Sequence, residues 1–296
     1  MIYMMRKTLR FFLILSVTLT SLSLSARTPK VGLVLGGGGA KGAATIGALE
    51  VIENAGIKID CIAGTSIGAV IGGLYAAGYS AKELEALFLD QTWQDILQGH
   101  RVEAKLKSLL EARGVESFAD ARFVTGIEFR CIAADENSFE EVVLKSGAPL
   151  YKAMLASMSI PEVFEPVRWN HQHLVDGGVI NLFPVDQVRD MGADIIIAID
   201  LQQAKEVALG ISTKELLGIG GLINWYTLRP DLDRYKQNLR TLNNYDISVY
   251  IHPSLPGYNA ASFGCEKCQR MLHLGKGAAK QFKHELREIH DLQQQY

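Results

Sequence analysis

Short apolar blocks alternate along this chain with longer stretches of helical spacing. The block 31–35 is strand-length and stops at four glycines, and 41–55 then carries the spacing of a helix closed by Gly56. Residues 59–63 form the next apolar block, followed by Gly64-Thr65-Ser66-Ile67-Gly68 and a second helix to about residue 77. Two strand, glycine-turn, helix units in succession predict a parallel sheet covered by helices. Ser80 with Glu83 has the spacing of a capping box and starts a helix over 81–89. Residues 91–122 are polar with a helical patch at 102–111, and read as a surface segment over the sheet or as a lid. Further strands are expected at 129–134, 141–144, 173–175, 195–199 and 247–251. Helices are expected at 150–158, at 184–191, over much of 203–245, and from about residue 268 onward.

The N-terminus breaks this pattern. Arg6, Lys7 and Arg10 precede the apolar run 11–19, and Ser23 and Ser25 supply small residues before Ala26. That order is a secretory signal peptide over 1–26, cleaved near Ala26, with an uncleaved membrane anchor as the other reading. The protein is then exported, periplasmic or secreted, free or membrane-associated. Residues 27–296 show no internal repeat, low-complexity tract or linker and are expected to form one domain.

Composition adds exclusions. The net charge of −2 and the scattered basic residues leave no footprint for nucleic acid. Cys61 and Cys131 sit in apolar runs and read as small buried hydrophobes, and Cys265 and Cys268 as two plain thiols or one local disulfide.

The chemistry concentrates at three places. Gly64-Thr65-Ser66-Ile67-Gly68 between a strand and a helix is a nucleophile elbow, in which a strained serine projects its hydroxyl above the sheet. The Ile67 amide, at the start of that helix, is placed to donate to an oxyanion. Gly36 to Gly39, followed by Ala40, Lys41 and Gly42, form a turn whose amides suit an anion. A nucleotide-phosphate loop would need a G-K-[ST] sequence, which is missing, and the dinucleotide spacing is incomplete. An oxyanion hole beside the serine explains why the elbow follows one strand–helix unit later. Asp176, at a strand end before Gly177 and Gly178, supplies a carboxylate able to take the serine proton once desolvated. His171, His173 and His252 are the competing bases. The histidine triads of α/β-hydrolases, however, place the elbow several strands into the chain, which disfavours them here.

Together these motifs resemble the patatin-like phospholipases. The matching residues are Gly37-Gly38-Gly39-Ala40-Lys41-Gly42, Gly64-Thr65-Ser66-Ile67-Gly68 and Asp176-Gly177-Gly178. To these are added 156–161 with Phe164 and Pro166, and Asn181 with Pro184. The resemblance runs from about residue 31 to 285 and implies a three-layer α/β/α patatin-like fold with a mainly parallel central sheet. It implies a Ser–Asp dyad cleaving fatty-acyl esters such as phospholipids, with no metal and no cofactor. Ser66 is then the nucleophile, Asp176 the base, and the amides of Gly37, Gly38 and Gly39 the oxyanion hole. Lys41 either orients the glycine turn or meets a lipid phosphate, against the plain reading of a surface cation. The segment 216–226 faces an acyl channel or a membrane surface, or is an ordinary core helix. Acyl transfer or thioester cleavage by the same dyad, and a non-catalytic phosphate-, nucleotide- or lipid-binding module, are the rival functions.

Overall fold

The structure, a computed structural model, describes residues 27–91, 101–147, 149–161, 163–203, 232–244 and 248–295. The expected export signal over 1–26, Trp93 in the stretch read as a surface segment or lid, and the apolar segment 216–226 lie outside the described residues.

The chain builds an eight-stranded sheet from β1 (Val31–Leu35), β2 (Cys61–Thr65), β3 (Glu128–Asp135), β4 (Glu141–Leu144), β5 (Val167–Trp169), β6 (Gln172–Asp176), β7 (Ile195–Ile199) and β8 (Ser248–Ile251). The strand order is β5-β6-β3-β2-β1-β7-β8, with β4 added on β3. Strands β3, β2, β1, β7 and β8 run parallel, and β4, β5 and β6 pair antiparallel.

Period-two alternation divides the core into two layers. Leu33, Ile62, Ile195 and Ile197 face one side of the sheet, and Val34, Cys61, Ala63, Ile196 and Ala198 face the other. On the first side pack α1 (Gly42–Asn54), α2 (Ile67–Ala76), α3 (Ala81–Leu89), α4 (Val102–Glu111), α5 (Phe118–Thr125), α6 (Leu150–Met158), α9 (Cys265–Lys280) and α10 (Lys283–Gln294). On the second lie α7 (Val185–Asp190) and α8 (Leu232–Asn243), through Val185, Val188, Tyr235 and Leu242. The result is a three-layer α/β/α architecture around a mainly parallel sheet. Both faces of the central strands are buried, so they read as continuous apolar runs.

The Ser80–Glu83 capping box forms as expected, with Ser80 accepting from the Glu83 amide and Glu83 from the Ser80 amide. Other expectations shift. Strand β2 runs two residues further than its apolar block, to Thr65 beside the elbow. The hairpin strand β5 has only three residues, too few for a periodicity to show. The described part of 91–122 packs on the core and does not merely overlie the surface: Val102, Leu106 and Leu110 are buried and Phe118 stacks on Phe129. Average polarity concealed this narrow i, i+4, i+8 stripe.

Helix α9 lies so close to α1 that glycine is required at the crossing. A Cβ on Gly275 would sit 1.9 Å from the Ala44 carbonyl oxygen, and one on Gly47 2.0 Å from that of Leu272. Gly275→Val is therefore expected to lose about 3 kcal/mol in urea or thermal unfolding. Gly277→Ala, on the same helix with nothing within 4 Å of its Cβ, is expected to hold or gain up to about 1 kcal/mol.

Candidate active site

The register of β3 explains how distant motifs meet. Cys131 and Ile132 pair with Gly64 and Thr65 of β2 on one edge and with Leu144 and Val143 of β4 on the other. Ala133 and Ala134 pair with Val142 and Glu141 of β4, and also with Asp176 and Val175 of β6. Since β4 occupies one edge throughout, β2 and β6 share the other, end to end. Thr65 and Asp176 therefore stand opposite consecutive residues of β3, although 111 positions apart in sequence.

At that junction Ser66 leaves β2 with φ 57° and ψ −126°, a backbone that is strained for a residue with a Cβ. Its hydroxyl donates to Asp176 Oδ2 at 2.6 Å. The turn is held close to the sheet: a Cβ at Gly68 would lie 2.2 Å from the Leu35 carbonyl oxygen, and one at Gly177 2.2 Å from that of Ile132. Ser157, at the end of α6, clamps both sides. Its hydroxyl donates to the Ile132 carbonyl at 2.5 Å and accepts from the Ser66 amide at 3.0 Å. The Asp176 amide donates to the Ser159 carbonyl at 2.8 Å. The motif match had covered Ser157 without giving it a role, because a buried serine near a helix end has no distinctive local pattern.

Asp176 is almost wholly buried and accepts from the Gly178 amide at 2.7 Å as well as from Ser66. Burial pushes its carboxyl up from 3.8 to about 6, and the Ser66 and Gly178 hydrogen bonds restrain the rise. The histidines lie elsewhere. His173 is three residues from Asp176 on β6, hence on the opposite face, and both it and His171 are exposed. His252 contacts the Gln202 carbonyl through Nε2 and stacks on Tyr250 at 5.7 Å.

The glycine turn lies against the serine, since a Cβ on Gly37 would be 3.2 Å from Ser66 Cβ. Its three amides are not equivalent. That of Gly37 donates to the Leu182 carbonyl at 3.0 Å. Those of Gly38, Gly39 and Ile67 have no acceptor among the described residues. Gly37 is thus engaged in holding the turn, a correction to its expected place among the donors. Gly39 takes φ +57°, with Ala260 packed against it. Lys41 is not a surface cation: it is fully buried, and its Nζ donates to the Leu201 carbonyl at 2.9 Å. This contact fits a lysine that orients the turn.

A buried polar network supports the site from behind. Thr65 Oγ1 donates to the Asn181 carbonyl at 2.8 Å, and the Asn181 side chain joins Asp186 and Asn238. Arg234 on α8 bridges Asp186 at 2.6 Å and Glu141 at 2.8 Å. Asn181 was visible only as a motif position, and the others carried no local signal. Cys61 and Cys131 are buried thiols, the first pushed up to about 12 by burial, and Cys265 and Cys268 are free. Among the described residues no group of three or more His, Cys, Asp or Glu side chains is placed to hold a metal ion.

The family model described as patatin-like phospholipase matches residues 33–189, spanning the glycine turn, the elbow and Asp176-Gly177-Gly178. The chain belongs to the patatin-like phospholipase family. It is 29% identical over 289 residues to a patatin-like phospholipase domain-containing protein of Caenorhabditis elegans, covering 86% of this chain and 21% of that protein. It is 28% identical over 288 residues to a lysophospholipase of Aspergillus fumigatus, covering 87% and 18%. The chain thus spans about a fifth of the length of these relatives. Among solved structures it is similar to VipD of Legionella pneumophila, with TM-score 0.49, 15% identity, and 88% and 67% of the two chains covered. The ExoU–SpcU complex of Pseudomonas aeruginosa gives TM-score 0.49 and 17% identity, with 91% and 53% covered.

The raised Asp176 carboxyl has a consequence for stability. Between pH 3.8 and about 6 the unfolded chain sheds this proton while the folded chain keeps it, so rising pH favours unfolding across that window. Above it the full penalty remains, about 3 kcal/mol for a shift of about 2 units. Asp176→Asn should therefore unfold later than wild type in urea at pH 8, by about 2 kcal/mol. That gain should vanish towards about pH 4.

Proposed function

We propose that the chain is a lipid acyl hydrolase that cleaves carboxylic esters of phospholipid or lysophospholipid type through a Ser66–Asp176 dyad. The observation that carries this reading is the 2.6 Å hydrogen bond from a strained serine to a buried carboxyl whose affinity for protons is raised. Family membership supports the substrate class, and the names of the relatives support lysophospholipids among the substrates.

In the proposed reaction Ser66 Oγ attacks the ester carbonyl as its proton passes to Asp176 Oδ2. The tetrahedral oxyanion is held by the amides of Gly38, Gly39 and Ile67, each good donor being worth roughly 3 kcal/mol in a dry site. Collapse breaks the ester C–O bond, and Asp176 returns the proton to the leaving alcohol. Water then attacks the acyl-enzyme, giving a proton to Asp176. Collapse breaks the bond between the acyl carbon and Ser66 Oγ, Asp176 returns that proton to Ser66 Oγ, and the fatty acid is released. A carboxylate close to neutrality in proton affinity is better matched to this work than an ordinary aspartate. The basic and apolar pattern of 1–26 supports export with cleavage near Ala26, and the N-terminal mass of the protein purified from its source tests that reading.

Intact-mass labelling with a fluorophosphonate, with chelator present, tests the dyad. Wild type should take one label per chain, at a rate that rises with pH through about 6 and then levels. Ser66→Ala should take none. Asp176→Asn should label and hydrolyse lysophospholipid slower by about 10³-fold or more, without the pH step. A folded wild type that neither labels nor hydrolyses ester would sink the proposal. Transfer to an added alcohol in preference to water would redirect it to acyl transfer.

A further inference from the structure

The end of β7 and the segment that follows it run beside the glycine turn and hold it at successive points. The Ile199 carbonyl accepts from the Gly36 amide at 3.0 Å, and the Leu201 carbonyl accepts from Lys41 Nζ at 2.9 Å. The Leu201 side chain stands 3.0 Å from where a Cβ on Gly38 would sit. Gln202 completes the set, its Nε2 donating to the Gly37 carbonyl at 3.2 Å.

That last bond falls on the peptide that matters. The Gly37 carbonyl and the Gly38 amide belong to one planar trans unit, so they point in opposite directions. Holding the carbonyl towards Gln202 fixes the direction of the Gly38 N–H, which has no acceptor among the described residues. A glycine–glycine peptide has little conformational preference of its own and needs an external restraint to stay in one orientation. Gln202 is itself held in place. It is 7% exposed, its amide donates to Asp200 Oδ1 at 2.9 Å, and its carbonyl meets His252 Nε2. Asp200 is fully buried, and its Oδ2 accepts from Tyr235 at 2.6 Å and Tyr250 at 2.7 Å.

We infer that Gln202 is the positioning residue of the oxyanion hole, aiming the Gly38 amide by gripping the carbonyl of the same peptide. Asp200 with its two tyrosines is the anchor that keeps Gln202 in place. The inference rests on the hydrolase reading and extends it to a residue outside the three motifs. Preorganised donors stabilise charge because they need not turn as the reaction proceeds, and a misaimed amide loses that advantage.

The test uses the full chain with Gln202→Met, which keeps length but loses the donor, and Gln202→Leu, which loses the donor in a shorter apolar side chain. Ester hydrolysis is measured alongside inhibition by an alkyl trifluoromethyl ketone, whose adduct with serine carries an oxyanion. The matched secondary alcohol, which cannot form that adduct, serves as control. In each folded variant kcat should fall about 10- to 100-fold with KM within about twofold. The ketone should weaken by the same factor as kcat/KM, and the alcohol should bind as before. Hydrolysis within about twofold of wild type in either folded variant overturns the inference. So does a parallel loss of ketone and alcohol binding, which marks damage to the acyl pocket. A wild type that neither hydrolyses ester nor binds the ketone overturns the hydrolase reading itself, and this inference with it.

Discussion

One edge of β3 carries two strands in succession, and the candidate site exists because of the seam between them. β2 leaves that edge at Thr65 and β6, running the opposite way, ends on it at Asp176, so the chain turns sharply at Ser66 to clear the end of the facing strand. The positive φ of Ser66, the missing Cβ atoms at Gly68 and Gly177, and the bridge through Ser157 accompany the packing of two chain ends into adjacent ladder positions. A parallel strand and an antiparallel one meet there, which brings a strand–helix turn and a strand end within one hydrogen bond of each other.

The same seam keeps water from the carboxylate. Asp176 is covered by β3 and α6 and by the turn that carries Ser66, and its raised proton affinity follows from that burial more than from any charged neighbour. An ionised carboxylate in such a place works against the fold, as does the serine backbone. Strain and desolvation at functional sites persist only where the surroundings over-determine them. Here the surroundings are a core buried on both faces of the sheet, a helix pair locked at Gly47 and Gly275, and the Asn181 network that ties Thr65 to α7 and α8.

The glycine turn is the complementary case, a backbone with little stiffness of its own made rigid from outside. Leu182 takes its first free amide, Lys41 is drawn inward to the Leu201 carbonyl, and Ala260 closes over Gly39. A lysine fully buried on a backbone carbonyl is an unusual use of a cation, and here it ties the glycine turn to the chain after β7.

Much was legible in the sequence because it is local. The alternation of apolar blocks with helical spacing located β1, β4, β7, α3 and α6 to within a residue or two, and the glycines announced the elbow and the turn because close approach leaves no other residue type. The three motifs pointed to Ser66 and Asp176, which the structure brings within one hydrogen bond, since their order and spacing are carried in the chain itself. What only the tertiary structure decided was pairing across long separations. No period along the chain reveals that β6 continues the edge of β2, that Ser157 spans the seam, or that Gly37 spends its amide on Leu182. Nor does one reveal that Gln202 reaches back 165 positions to the glycine turn. These contacts depend on which strands share an edge, a property of the assembled sheet, and a buried serine, glutamine or lysine looks like its exposed counterpart until the layers close over it.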